Sequence, residues 1–306
     1  MRETFLPIKQ DIPGFNPFFG SWVCQGEQNM VVDVGPANTA ARLVDSMAAM
    51  GLERLDYVLL THIHIDHGGA LAEVLARYPE AKVICHNKGI PHLADPSKLY
   101  KGSLEVLGDL ARTYGSPGPI AEDRLVPHTE CQIDGLSVIE TPGHALHHLS
   151  FTYQKRLYAG EAAGNYFIVG NREYLRPATP PRFFLDVCIQ SVDRLLALED
   201  QPIRYAHVAG AKSAHRLLKQ FRDQLVFWES VIGESVIGKS VIGGGRKTDI
   251  IQNCVERLLK DDPNLAAFEN MDANTQKRER TFMTNAVNGF VGFFEEKLKG
   301  AEARDN

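Results

Sequence analysis

Six residues carry the first chemical signal. The stretch "THIHIDHGG", from Thr61 to Gly69, holds His62, His64, Asp66 and His67. His62 and His64 are two apart in a turn leaving an apolar run, so their rings can converge on one ion. Asp66 and His67 follow at once and can reach a second ion a few ångströms away. Imidazole with carboxylate suits zinc, iron or manganese, and the absence of thiolates argues against a closed structural zinc site. Further histidines recur in similar settings. "IETPGHALHHLSF" supplies His144 as a ligand candidate in a turn after a strand-like run, with His148 behind it to orient a ligand and His147 without a defined role. "LYAGEAAGN" places Glu161 after a short strand, where its carboxylate could bridge two ions or complete a single site. "IRYAHVAG" ends a strand with His207, for which His215, in a helical run, is the rival. His86, His92 and His128 carry no pattern and read as structural or surface histidines.

The elements that must position these residues are legible in outline. "FFGSWVC" and "NMVVDVG" flank a polar "QGEQ" as a β-hairpin would. Residues 39–52 have helical spacing, "YVLLTH" is a continuous apolar run of a buried strand, "GALAEVLARYP" returns to helix, and "AKVICH" is again a strand. The histidine cluster therefore falls at the carboxyl end of a strand, where ligands of open α/β sheets gather. "CQIDGLSVIET", "HLSFTYQ" and "KRLYAGE" are short strands with little helix between them, which predicts mixed sheets. From Ser213 onward the texture is helical, and Met283, Ala286, Val287, Phe290 and Phe294 form an apolar stripe expected to pack on the domain's flank. Three copies of S-V-I-G (230–233, 235–238, 240–243) have a five-residue period that is neither helical nor strand-like. They read as a joint between two helices.

Composition narrows the class. With 306 residues, 44% of them hydrophobic and 23% charged, the chain is long enough for one large domain with an appendage. A net charge of −5 gives no electrostatic case for nucleic acid. The opening residues lack the apolar core of a secretory signal, and no window approaches a membrane span. Five scattered cysteines without a C-x-x-C pair suit reduced thiols. A cytoplasmic protein with no membrane partner is expected.

Taken together, "VVDVG", "THIHIDH", "TPGH", "GE" and "AH" resemble, in order, the motifs of the metallo-β-lactamase superfamily across the first ~210 residues, and a little-characterised branch of it in the region around "AGEAAGNYF". The resemblance implies an α/β fold, a four-layer αβ/βα sandwich over residues 1–210, followed by a helical C-terminal extension over 211–306 that covers the site or builds a homodimer. It implies two divalent ions, zinc first with manganese or iron as alternatives: His62, His64 and His144 on one, Asp66, His67 and His207 on the other, Glu161 at the bridge and Asp33 as a buried carboxylate behind them. The family usually has Asp at the bridging position, and the extra methylene of Glu161 bears on the second ion. The implied activity is hydrolysis of a small ester, thioester or lactone by a metal-bound hydroxide, with Asp66 orienting the nucleophile. The alternatives are a mononuclear-iron enzyme like the persulfide dioxygenases, and a non-catalytic binding protein. Beyond the resemblance, Tyr166, five residues after Glu161, reads as either a donor to substrate or a core tyrosine, and "RPATPPRFF", with Arg176 and Arg182, as either a pocket lining that pairs with an anionic group or a rigid surface connection.

Overall fold

The computed structural model describes residues 1–180, 183–242 and 246–302. In chain order the elements are β1 (Arg2–Ile8), β2 (Phe19–Gln25), β3 (Met30–Val32), α1 (Ala40–Ala49), β4 (Tyr57–Leu59), α2 (Ile65–Gly68), α3 (Leu71–Arg77), β5 (Lys82–Cys85), α4 (Ile90–Ala94), α5 (Ser97–Leu107), α6 (Asp109–Tyr114), β6 (Leu125–Pro127), β7 (Leu136–Glu140), β8 (Leu149–Tyr153), β9 (Leu157–Gly160), β10 (Asn165–Val169), β11 (Arg172–Arg176), α7 (Leu185–Leu196), β12 (Ile203–Tyr205), β13 (Gly210–Ala211), α8 (Ala214–Ile242), α9 (Lys247–Asp261) and α10 (Ala273–Glu302). They fall into two compact units. The first takes Met1–Glu140, His147–Gly160 and Pro202–Gly210, and the second takes Thr141–Leu146, Glu161–Gln201 and Ala211–Asn306.

The first unit is built on two mixed sheets. One has six strands in the order β1-β2-β3-β4-β5-β6, the other five in the order β13-β12-β9-β8-β7. β1, β2 and β3 run antiparallel, whereas β3 to β6 are parallel. Parallel strands need crossovers, and helices α1 to α6 supply them. Val58, Leu59, Val83 and Ile84 are almost fully buried, as expected of parallel strands covered on both faces. Between the sheets, Cys24, Met30, Val32, Leu59 and Ile84 from one meet Leu149, Phe151, Tyr153 and Tyr158 from the other. Outside, α1 buries Leu43 and Met47, and α3 buries Leu71, Val74 and Leu75, the periodic faces read from the sequence.

The second unit contains the hairpin β10–β11 and helices α7 to α10. Its centre holds Trp228, Phe183 and Phe290, with the Trp228 and Phe290 rings 5.9 Å apart. Met283, Ala286, Val287, Phe290 and Phe294 are all buried, so α10 turns its apolar stripe to the interior of this unit. A charged network lies in the same interior: Glu279 on α10 accepts from Arg176 of β11 and from Arg278, and Glu279 is fully buried. Although burial works against its charge, the two guanidinium groups hold its carboxyl below the usual range.

One expectation is corrected. The S-V-I-G copies are not a joint, because α8 continues through them to Ile242; the last copy's Gly243 lies outside the described residues. Val231, Ile232 and Val236 are buried while Ile237 is 50% exposed. Helical hydrogen bonding needs no periodicity of its own. Apolar side chains spaced by five drift around the helix, yet enough of them still meet the core.

Candidate metal centre

The histidine motif begins where β4 stops. After Leu59, residues Leu60, Thr61 and His62 remain buried, and Ile65–Gly68 closes one helical turn, with the amides of His67 and Gly68 donating to the His64 carbonyl at 3.0 and 2.9 Å. Gly69 admits no side chain, since a Cβ there would lie 2.2 Å from the Ile65 carbonyl oxygen.

Asp33 sets the chemistry behind this turn. It follows β3 with φ of 53°, a left-handed conformation that Asp tolerates better than most residues. One carboxylate oxygen accepts from the Thr61 amide at 2.8 Å, and the other accepts from the Thr61 hydroxyl at 2.8 Å and from His67 Nδ1 at 3.0 Å. Because the Thr61 hydrogen is committed to Asp33, its oxygen accepts from His62 Nδ1 at 3.0 Å. Both His62 and His67 are thereby fixed as Nδ1–H tautomers, with the Nε2 lone pair available for an ion. This is the outer arrangement that metal-binding histidines require.

His67 Nε2 lies 3.7 Å from Asp66 Oδ2, and His207 Nε2 lies 3.8 Å from the same oxygen. Donor atoms about 2.1 Å from a tetrahedral ion sit about 3.4 Å from one another. The three side chains thus surround a space of nearly the right size, and one ligand atom from each falls within 4.8 Å of the others. The donor set fits a divalent ion. His207 is held by aromatics from the approach to β2: Phe18 stacks on its ring at 4.3 Å and 13°, and Phe19 meets it edge-on at 5.3 Å. The two residues after it, Val208 and Ala209, have φ of 22° and 106°, strained values for side chains with a Cβ. His64 lies beside His62, ring centroids 4.5 Å apart. His148 is buried 5.2 Å from His62, and Gly160, at φ of 58°, makes room for it: a Cβ there would meet His148 Nε2 at 2.5 Å.

Within the second unit, His144 and Glu161 come together. His144 Nδ1 donates to the Ala178 carbonyl at 2.8 Å, which turns the Nε2 lone pair of the neutral ring toward Glu161 Oε2 at 2.9 Å. At 2.9 Å the two atoms are spaced for a shared proton, and an ion held by both would sit to one side of the line joining them.

The polar residues expected to touch substrate are placed otherwise. Tyr166 is 2% exposed and donates to Glu173 at 2.7 Å, and Glu173 also pairs with Arg216 at 2.7 Å. Burial, then Glu173, pushes the Tyr166 hydroxyl up to about 12. Arg176 is 2% exposed and committed to Glu279. Both are interior groups of the second unit, Tyr166 in the core position that is the alternative to a substrate contact and Arg176 in an ion pair. Arg182 lies outside the described residues. His215 is occupied with the Leu198 carbonyl at 2.7 Å. Thr61, Phe18 and Phe19 were not singled out in the sequence, and only the adjacency of Thr61 to His62 could have flagged one of them.

Comparison with known proteins decides the family. The profile of the metallo-beta-lactamase superfamily matches residues 20–207. This chain belongs to the metallo-beta-lactamase superfamily. A metallo-beta-lactamase fold-containing protein of Sulfurisphaera tokodaii is 29% identical over 218 residues, covering 68% of this chain and 78% of that protein. A hydroxyacylglutathione hydrolase of Photobacterium profundum is 27% identical over 194 residues, and the match spans only 62% of that enzyme's length. Among solved structures, an archaeal superfamily protein from Sulfolobus tokodaii aligns with a TM-score of 0.64 at 23% identity, over 94% of this chain and 97% of that one. The α/β fold class with C-terminal helices is therefore that of the metallo-beta-lactamase superfamily, and membership supports a metal-dependent hydrolase in the broad sense. Among the described residues no helix is long and apolar enough to cross a membrane.

Proposed function

We propose that this protein is a hydrolase of small esters, thioesters or lactones that works with two divalent ions, zinc foremost. The ligands in this reading are His62, His64 and His144 for one ion and Asp66, His67 and His207 for the other, with Glu161 at the bridging position; the assignment across the motifs rests on the family's pattern. The observation that carries it is the tautomer control exerted by Asp33 and Thr61, which places the lone pair of both rings on Nε2. A divalent ion held there supplies Lewis acidity, polarising an acyl oxygen and lowering the pKa of a coordinated water from about 15.7 to about 7. The chain's own part is positional. Asp66, 20% exposed and more open than His67 or His207, accepts a proton and returns it to the leaving group.

The test is elemental analysis of the purified chain followed by a panel of acyl substrates, with hydroxyacylglutathione first because relatives carry that activity in their name. About two zinc or manganese ions per chain and turnover of at least one ester, thioester or lactone are expected. A single iron with oxygen uptake on persulfides, or no hydrolysis across the panel by the loaded protein, would overturn the reading.

A further inference from the structure

A second cluster of potential ligands lies in the first unit, built from residues whose sequence carries no motif. β5 and β6 are parallel neighbours, with Cys85 opposite Pro127, so the residues that follow them, His86 and His128, leave adjacent carboxyl ends. Their rings stack at 4.5 Å and 29°. Glu140 is the last residue of β7, in the other sheet, and its Oε1 lies 2.9 Å from His128 Nε2. One ligand atom from each of the three falls within 4.8 Å of the others. His86 is 4% exposed and the His128 side chain 7%, whereas Glu140 is 55% exposed.

We propose that His86, His128 and Glu140 form a further cation site, distinct in every ligand from the histidine motif, for an ion of the zinc, cobalt or nickel type. Two imidazole nitrogens and one carboxylate oxygen match the preferences of such ions, and the exposed side of Glu140 leaves room for water to complete the shell. The charge states suit the set. Burial, followed by the neighbouring His128, holds His86 below its ordinary range, so its ring is neutral at neutral pH. The hydrogen bond from His128 lowers Glu140, which is therefore ionised. Lys88 is the opposing charge, since it acts on both His86 and Glu140.

Loading the site requires a tautomer change that conserves protons. As the rings stand, His128 Nδ1 accepts from the Asn87 amide at 3.3 Å and His86 Nδ1 accepts from the Lys88 amide at 3.0 Å, so each carries its hydrogen on Nε2. On binding, each proton moves to Nδ1 and each Nε2 gives its lone pair to the ion, while the rings stay neutral. The change turns each buried Nδ1–H toward a backbone N–H, a cost that binding of the ion must exceed; the Lys88 amide keeps a second acceptor in Asn87 Oδ1 at 2.9 Å.

Such an ion would fasten the ends of two strands of one sheet to the end of a strand of the other. The loop after His86 also leans on the histidine motif: at Gly89 a Cβ would lie 2.6 Å from Cγ2 of Ile63, which stands between His62 and His64. The ion would thus brace the platform from which the motif projects.

The experiment equilibrates metal-stripped full-length chain with zinc and counts ions per chain by elemental analysis, for the wild type, Glu140→Gln and His128→Gln. Glu140→Gln is the decisive variant, because an exposed isosteric change leaves the fold intact, as circular dichroism checks. Each variant should hold one ion fewer than the wild type and gain less thermal stability from zinc. An unchanged count in Glu140→Gln overturns the proposal. The comparison is repeated in a His62→Ala/His64→Ala background. A one-ion difference that persists there upholds the site even if no hydrolysis is ever found, and a difference that disappears there overturns it.

Discussion

Replacing Asp33 by Asn changes one heavy atom and should disable the metal centre from behind. Asp33 receives three hydrogen bonds on its two oxygens, from the Thr61 amide, the Thr61 hydroxyl and His67 Nδ1. Asn accepts on one side only. If its NH2 takes the place of the oxygen facing Thr61 Oγ1 and His67, the Thr61 hydroxyl must turn to accept and point its hydrogen at His62. Both rings are then driven to the Nε2–H form, and two lone pairs intended for metal are lost. If the amide flips, its NH2 faces the Thr61 N–H at a residue that is 3% exposed. An unsatisfied buried donor costs about 1–3 kcal/mol. Groups that orient metal-bound histidines are worth about 10–100-fold in metal affinity. At about 1.4 kcal/mol per decade, that is about 1.4–2.8 kcal/mol, the same range as the buried-donor cost. The left-handed backbone at Asp33 suits Asn equally well, so the change probes hydrogen bonding and not conformation. Competition with a coloured chelator gives the zinc affinity of each variant. Asp33→Asn should bind 10–100-fold more weakly while circular dichroism stays unchanged. Wild-type affinity and ion count in a folded Asp33→Asn protein would refute the tautomer argument.

Two further predictions concern stability. Glu279→Gln leaves the guanidinium groups of Arg176 and Arg278 buried without their counter-charge, and denaturant unfolding should show a loss of about 3–5 kcal/mol; a loss under about 1 kcal/mol would mean that water or another anion replaces the carboxylate. Glu173 is held below its ordinary value, chiefly by its hydrogen bond from Arg216. A lowered folded pKa contributes stability above the ordinary carboxylate pKa and loses it as pH falls through the lowered value. The pair is partly exposed, so the wild type should exceed Glu173→Gln by no more than about 1 kcal/mol at neutral pH, with the gap closing in acid. A gap that ignores pH would show that the pair does not act through charge.

Local signals were legible in the sequence where neighbours in the chain are also neighbours in space. The run "YVLLTH" reads as a strand because both its faces are covered, and His62, His64, Asp66 and His67 follow it within one turn. The hairpin β10–β11 is marked in the sequence only by its turn residues, Gly170 and Asn171. What stayed hidden are pairings set by topology. Arg176 looks like a substrate ligand in a proline-rich stretch, and only the arrival of Glu279, 103 residues later, turns it into an interior ion pair. His86, His128 and Glu140 show no spacing rule because two parallel strand ends and the edge of another sheet bring them together. Tyr166 similarly depends on Glu173 across a hairpin and on Arg216 beyond it.

The continuity of α8 through the S-V-I-G copies gives repeat number a geometric meaning. Were the copies a loose joint, adding or removing one would change only the slack between two helices. In a continuous helix, five residues are about 7.5 Å of length and about 140° of rotation. A duplication would therefore act as a change of phase: Phe221 and Trp228 would stay seated, while everything carried beyond the repeat would be swung to another bearing. Copy number in this segment is a coarse angular setting, and its neighbours in number should not be interchangeable with it.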